Sequence, residues 1–195
     1  MKSSWLKKWV GVLVIGLAMG AMSAALAADA APKLEVNSGD TGWLLISAAL
    51  VMLMTPGLAF FYGGLVRRKN ILSILMQCFM LLCLISLQWV LLGYSLSFGP
   101  DIKGFIGNFS WVGLKDVGLT PHNVYGTTVP HQAFMIFQAM FAVITPGLII
   151  GAFAERMRFL PFCVFSLLLA TLVYDPVAHW VWADDGWLFS GDHLA

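Results

Sequence analysis

The segment QAMFAVITPGLIIGAFAER, residues 138–156, is an apolar run with Pro146 and Gly147 at its middle and Glu155-Arg156 at its end. Residues 53–70, LMTPGLAFFYGGLVRRKN, repeat the pattern: Thr-Pro-Gly-Leu inside an apolar stretch, then a basic stop. Proline in a helix interior costs about 3 kcal/mol, because it lacks an N–H and its ring clashes one turn back. In a bilayer the freed carbonyl must find a partner such as a Thr, a water or another helix. Pro56 and Pro146 are therefore expected to be bends packed against protein rather than lipid. Gly57, Gly63, Gly64, Gly147 and Gly151 are expected to permit close helix contact, with Gly147-x-x-x-Gly151 as a small-residue face. Ordinary helix packing explains these glycines; a bend lining a path through the bundle is the alternative.

The rest of the chain supports a membrane reading. It is 59% hydrophobic and only 11% charged, against roughly 25% charged in soluble domains, and its mean hydropathy is +0.84. Residues 41–66, 70–100 and 117–154 contain no Asp, Glu, Lys or Arg, and residues 159–174 form a shorter fourth stretch. A spanning helix needs about 20 mostly apolar residues. The fold class is therefore an all-α polytopic membrane protein, with spans at about 41–66, 71–96, 132–153 and 159–180. The net charge of +1 gives no reason to expect nucleic acid as a partner; the lipid bilayer is the partner that composition implies.

The first residues have a different outline. Lys2, Lys7 and Lys8 precede a short apolar run, and Ala25-Leu26-Ala27 has the small-x-small spacing of a cleavage site. Residues 1–28 read as a secretory signal peptide, with a retained first helix as the alternative. Orientation follows from the loops. Arg67, Arg68 and Lys69 fill one short loop, and Arg156 and Arg158 fill another against Glu155. The segment 98–130 balances Lys103 and Lys115 with Asp101 and Asp116, and the tail is acidic. Short loops rich in Lys and Arg stay in the cytoplasm. The mature N-terminus is then periplasmic in a cell inner membrane, which agrees with a cleaved leader.

Polar residues in apolar surroundings are expensive and usually face the bundle or a cavity. Gln77, Gln88, His131, Gln132, Gln138, Asp175 and His179 are the candidates. Gln77 and Gln88 lie three turns apart on one face and are expected to bond between helices. Asp175 is expected to cap backbone or meet a polar partner near the outer part of its span. His131 and His179 are expected at wet outer ends. No third residue is spaced to make either a metal ligand, and Cys78, Cys83 and Cys163 read as small buried hydrophobes rather than as disulfides or a zinc cluster. No nucleophile–base arrangement, phosphate loop or cofactor motif is visible, so neither catalysis nor a cofactor is expected. Phe134, Phe137 and Phe141 share one side of the third span, and Trp180, Trp182 and Trp187 gather at the end of the fourth. Packing and interface anchoring are the simpler roles; a cation held by ring faces is the functional alternative.

The runs DTGWLLISAALVMLMTPGLAFFYGGLVRRKN (40–70), FQAMFAVITPGLIIGAFAERMRF (137–159) and VYDPVAHWVW (173–182) together resemble the ammonium transporter family, the Amt/Mep/Rh proteins. The resemblance covers 40–190, so residues 41–195 are identified as the N-terminal part of such a domain. It implies four of the eleven helices of a subunit, an inverted repeat relating its halves, and a homotrimer with one narrow pore per subunit. It implies ammonium or ammonia as substrate, with Trp182 and Phe137 at an outer recruitment site and Phe141 closing the pore beneath it. It also implies a trimeric P-II nitrogen-regulatory protein as a partner on the cytoplasmic face, near Arg67–Asn70 and Glu155–Arg158. Two departures stand out. The family's recruitment aspartate falls at about Leu194, and neither pore histidine is present; Asp192, His131 and His179 belong to other motifs. The expectation is therefore a transporter portion, a fragment or truncation that is inactive alone. An ammonium sensor of the same family and a structural, non-functional fragment are the alternatives.

Overall fold

The computed structural model describes residues 34–189. The expected leader, 1–28, and positions 192 and 194 lie outside them. Among the described residues, four helices are long and apolar enough to cross a membrane: α1 Ser38–Leu65, α2 Arg68–Phe98, α3 His131–Phe153 and α4 Phe159–Trp182. Helix α1 begins at Ser38 because Asn37 caps it. The Asn37 side-chain oxygen accepts from the N–H groups of Gly39 (2.8 Å) and Asp40 (3.2 Å), and Asp40 meets the positive end of the helix dipole. Helices α2 and α4 each contain one π-helical turn, Trp89–Gly93 and Ala170–Tyr174.

Helix α2 is the spine. Ile74, Cys78, Leu81 and Ile85 recur at helical spacing, are all buried, and continue into buried Trp89. They pack against Ala139, Ala142 and Val143 of α3 and against Phe162, Cys163 and Ala170 of α4. Helix α1 packs on α3 and α2 and leaves Trp43, Leu50, Leu53, Phe60 and Leu65 exposed, as suits a surface facing hydrocarbon. Cys83 is likewise exposed; Cys78 and Cys163 are buried as expected.

The two Thr-Pro-Gly-Leu segments meet. A Cβ on Gly147 would stand 3.1 Å from Leu58 Cδ2, and one on Gly151 would stand 2.9 Å from Tyr62 Cε1. Leu58 and Tyr62 are one turn apart on α1, as Gly147 and Gly151 are on α3, so the small-residue face receives two large side chains. Just past Pro146 the α3 ladder tightens: Ala152 N–H bonds to the Ile149 carbonyl (2.9 Å), which strands the Leu148 carbonyl. The Tyr62 hydroxyl donates to that carbonyl at 2.8 Å. Thr145 donates to the Phe141 carbonyl at 2.8 Å. Pro146 is buried as expected, but Pro56 is only half-buried, and Gly57 and Gly64 face open space instead of a helix.

The two basic turns sit side by side at one end of the bundle. Glu155 accepts from the Arg67 backbone N–H (2.9 Å) and the Asn70 amide (2.8 Å), and its Oε2 lies 2.9 Å from Arg67 Nη2. These bonds hold the Glu155 carboxyl down at about 2, the Arg67 side chain contributing most. Glu155 reaches this position with a left-handed backbone, φ +66°. The glutamate is therefore a clasp between the turns, which the charge count alone did not suggest.

The opposite end is covered by the segment between α2 and α3, which folds as two short antiparallel hairpins. Strand β1 (Asp101–Ile102) pairs with β2 (Ile106–Gly107), and β3 (Pro121–His122) pairs with β4 (Gly126–Pro130). Lys103 and Gly104 make the first turn with positive φ, and the Gly104 N–H bonds to Asp101 Oδ2 at 2.7 Å. This cover corrects one expectation. His131 and His179 are not at a wet edge; both are buried beneath the hairpins.

Candidate functional site

Phe137 and Phe141 are four residues apart on α3, so their side chains stack one turn above another. Their ring centroids are 5.1 Å apart at 76°. Trp182, the last residue of α4, brings its ring to 6.5 Å from Phe141 at 61°. With Gln138 these three rings line a cavity of about 230 Å³. The cavity offers aromatic faces and one amide, an environment that attracts a small cation by about 0.5–2 kcal/mol per favourable face. Tyr174 meets the Trp182 ring at 6.5 Å, and a smaller apolar hollow of about 80 Å³ lies among Tyr174, Val177, Ala178, Val181 and Trp182. The structure thus brings together Trp182, Phe141 and Phe137. It adds Gln138, whose only sequence signal was a polar residue between two phenylalanines. Phe134 turns elsewhere, packing on Phe98 (5.4 Å) and Tyr125 (5.3 Å).

Behind the rings a buried polar tie joins α2 to α4. Gln88 Nε2 donates to Asp175 Oδ2 at 2.7 Å and to Thr171 Oγ1 at 3.2 Å, and Ser97 Oγ donates to Asp175 Oδ1 at 3.4 Å. Asp175 is fully buried. Gln88 therefore bonds between helices as its position suggested. Gln77 does not: its Oε1 is buried without a partner. One turn on from Asp175, His179 Nδ1 lies 3.1 Å from the Ser97 carbonyl oxygen and Nε2 lies 2.9 Å from Asp101 Oδ1. Burial opposes ionisation of Asp101, but the bonds from His179 and from the Gly104 N–H outweigh it and hold the carboxyl below its ordinary range. His131 Nε2 meets the Tyr94 hydroxyl at 2.6 Å within a cluster of Trp111, His122 and Tyr125. Burial lowers His122 against the pull of Asp184. Among the described residues no group of three or more His, Cys, Asp or Glu side chains is placed to hold a metal.

Four apolar helices, a small-residue face of one packed on another, and an aromatic cavity at the covered end define part of a polytopic membrane bundle. The Ammonium Transporter Family profile matches residues 42–194, and the chain belongs to that family. It is 54% identical over 153 residues to an ammonium transporter of Bacillus subtilis, covering 78% of this chain and 37% of that protein. It is 43% identical over 152 residues to ammonium transporter 1 of Schizosaccharomyces pombe, covering 78% and 30%. The fold superposes on the crystal structure of Candida albicans Mep2 with a TM-score of 0.71 at 36% identity, covering 80% of this chain and 34% of that one. A sensor Amt protein superposes at 0.66 with 27% identity, covering 73% and 33%. The chain thus spans about a third of the length of the relatives it matches.

Proposed function

We propose that the chain forms part of a channel-like transporter that moves ammonium or ammonia across a membrane, and that Trp182, Phe141 and Phe137 form its recruitment site and gate. The observation that carries this is the cavity lined by those three rings and Gln138 in a member of the ammonium transporter family. Ammonium is small enough to be held by ring faces, and its charge makes an apolar pore beneath the gate costly to enter. Recruitment at the rings followed by passage of ammonia, or of ammonia and a proton separately, fits both facts.

The same reading places the chain in an eleven-helix subunit of a homotrimer, behind a cleaved leader, in a cell inner membrane. The clasped turns 67–70 and 155–158 are cytoplasmic in it and the hairpins periplasmic; the concentration of Arg and Lys at one end of the bundle supports this. A P-II type protein would approach that basic end.

The test is uptake of methylammonium by the protein expressed from its complete reading frame. Losing one ring–cation contact of about 0.5–2 kcal/mol corresponds to a roughly 2- to 30-fold rise in apparent KM. Trp182→Leu is expected to fall in that range. An apparent affinity unchanged across a concentration series would remove Trp182 from the site. Ammonium sensing is the second reading, resting on the likeness to the sensor Amt protein. A wild-type protein that binds methylammonium without carrying it would favour sensing.

A further inference from the structure

The Trp182 ring is loosely held. It has edge contacts at 6.5 Å to Phe141 and to Tyr174, it is 42% exposed, and the next residue, Ala183, already has an extended backbone. A ring so placed takes its position from the backbone beneath it, and that backbone is gripped one turn back. The His179 ring is fully buried with both nitrogens engaged, Nδ1 by the Ser97 carbonyl oxygen and Nε2 by Asp101. Each ring nitrogen thus has an oxygen within hydrogen-bond distance, so the ring is held from both sides. The adjacent Trp180 donates its Nε1–H to the Phe105 carbonyl at 2.7 Å. Asp101 and Phe105 both belong to the β1–β2 hairpin and its turn. That hairpin is seated on the end of α2: Ser95 Oγ donates to the Asn108 carbonyl at 2.7 Å, and a Cβ on Gly107 would collide with the Ser95 carbonyl oxygen. Mechanical continuity therefore runs from α2 through the hairpin to His179 and Trp180, and from there to Trp182.

We propose that Asp101, acting through His179, is a positioning residue that sets the Trp182 ring against Phe141 for cation recruitment; this rests on the reading of Trp182 given above. Asp101 is not among the residues that line the ring cavity. It acts at a distance, by fixing the last turn of α4. A residue that only supported folding would reduce the amount of working protein and leave apparent affinity alone. A residue that works through Trp182 changes affinity, and only while Trp182 is there to be positioned.

Methylammonium uptake by W182L, D101A, D101N and W182L/D101A, each from the complete reading frame and normalised to protein in the membrane, separates these cases. D101A is expected to raise apparent KM about fivefold, inside the span of one ring–cation contact, with Vmax within twofold. D101N keeps a polar partner for Nε2, through its amide oxygen or its N–H, and is expected to return KM to within twofold of wild type. Adding D101A to W182L is expected to produce no further rise. A raised KM in W182L beside an unchanged KM in D101A, or a multiplicative effect in the double variant, overturns the proposal alone. An unchanged KM in W182L overturns the recruitment reading and the proposal with it. Should D101A fail to reach the membrane, D101S takes its place in the same cycle.

Discussion

Gln88→Leu removes the strongest donor to a carboxyl that has no contact with solvent. In the wild type Asp175 accepts from Gln88 at 2.7 Å and from Ser97 only at 3.4 Å. Leaving a buried acceptor without its partner costs about 1–3 kcal/mol, and more where the acceptor is charged. Leucine recovers part of that by filling the space against the neighbouring leucines, so a net loss of about 1–2 kcal/mol is expected. For a chain of this size 1 kcal/mol moves the melting temperature by roughly 2–4 °C, giving a shift of about 2–8 °C. Thermal unfolding in nanodiscs, followed by fluorescence, measures it. Asp175→Leu is expected to cost less, because Gln88 Nε2 keeps Thr171 at 3.2 Å. Q88L/D175L is expected to recover most of the loss, since replacing both partners of a buried hydrogen bond with apolar groups of similar shape can be nearly neutral. A Q88L protein melting within about 1 °C of wild type would refute the reasoning, as would a double variant less stable than Q88L.

The clasp gives a pH-dependent expectation. Glu155 is lowered from its ordinary 4.5 to about 2 by its bonds to Arg67 and Asn70, so its contribution is fully present above about pH 4.5 and is lost as pH falls through about 2. Glu155→Gln should therefore melt below wild type at pH 7, with the gap closing between those limits and shrinking in high salt because Arg67 is exposed; a gap constant from pH 7 to pH 2 would show that the carboxylate is not the source. For orientation, reporter fusions within 67–70 and within 155–158 should both register inside the cell, and an external signal from either would reverse the topology.

Much of the architecture was legible in the sequence, because a bilayer imposes its demand locally: twenty apolar residues, uninterrupted by charge, are their own announcement. The Gly147-x-x-x-Gly151 face was legible for a similar reason, since small residues at a four-residue spacing have few other uses. What escaped notice depends on partners far away in the chain. Glu155 looked like a minor offset to nearby arginines, yet it bonds to Arg67 and Asn70, which no local pattern pairs with it. His131 and His179 were expected to be wet because each lies at the end of an apolar run. Their burial depends on how residues 99–130 fold back over those ends, and short irregular hairpins carry weak local signals. At the candidate site, the four-residue spacing of Phe137 and Phe141 was readable, while the closeness of Trp182 was supplied by family resemblance alone. Gln138 was noticed only as a polar residue in apolar company.

The π turns in α2 and α4 have a mechanical meaning. Each widens one helical turn by about a residue, and one extra residue rotates everything downstream by roughly 100°. Helix α4 is thus two geared half-shafts. The half below Ala170 packs on α2 through Phe162 and Cys163, and the half beyond Tyr174 has its own azimuth, aiming Asp175 at Gln88, His179 at Asp101 and Trp182 at the rings. The direction of the side chains at the mouth is thus set by this single widened turn, apart from the packing of the half below it.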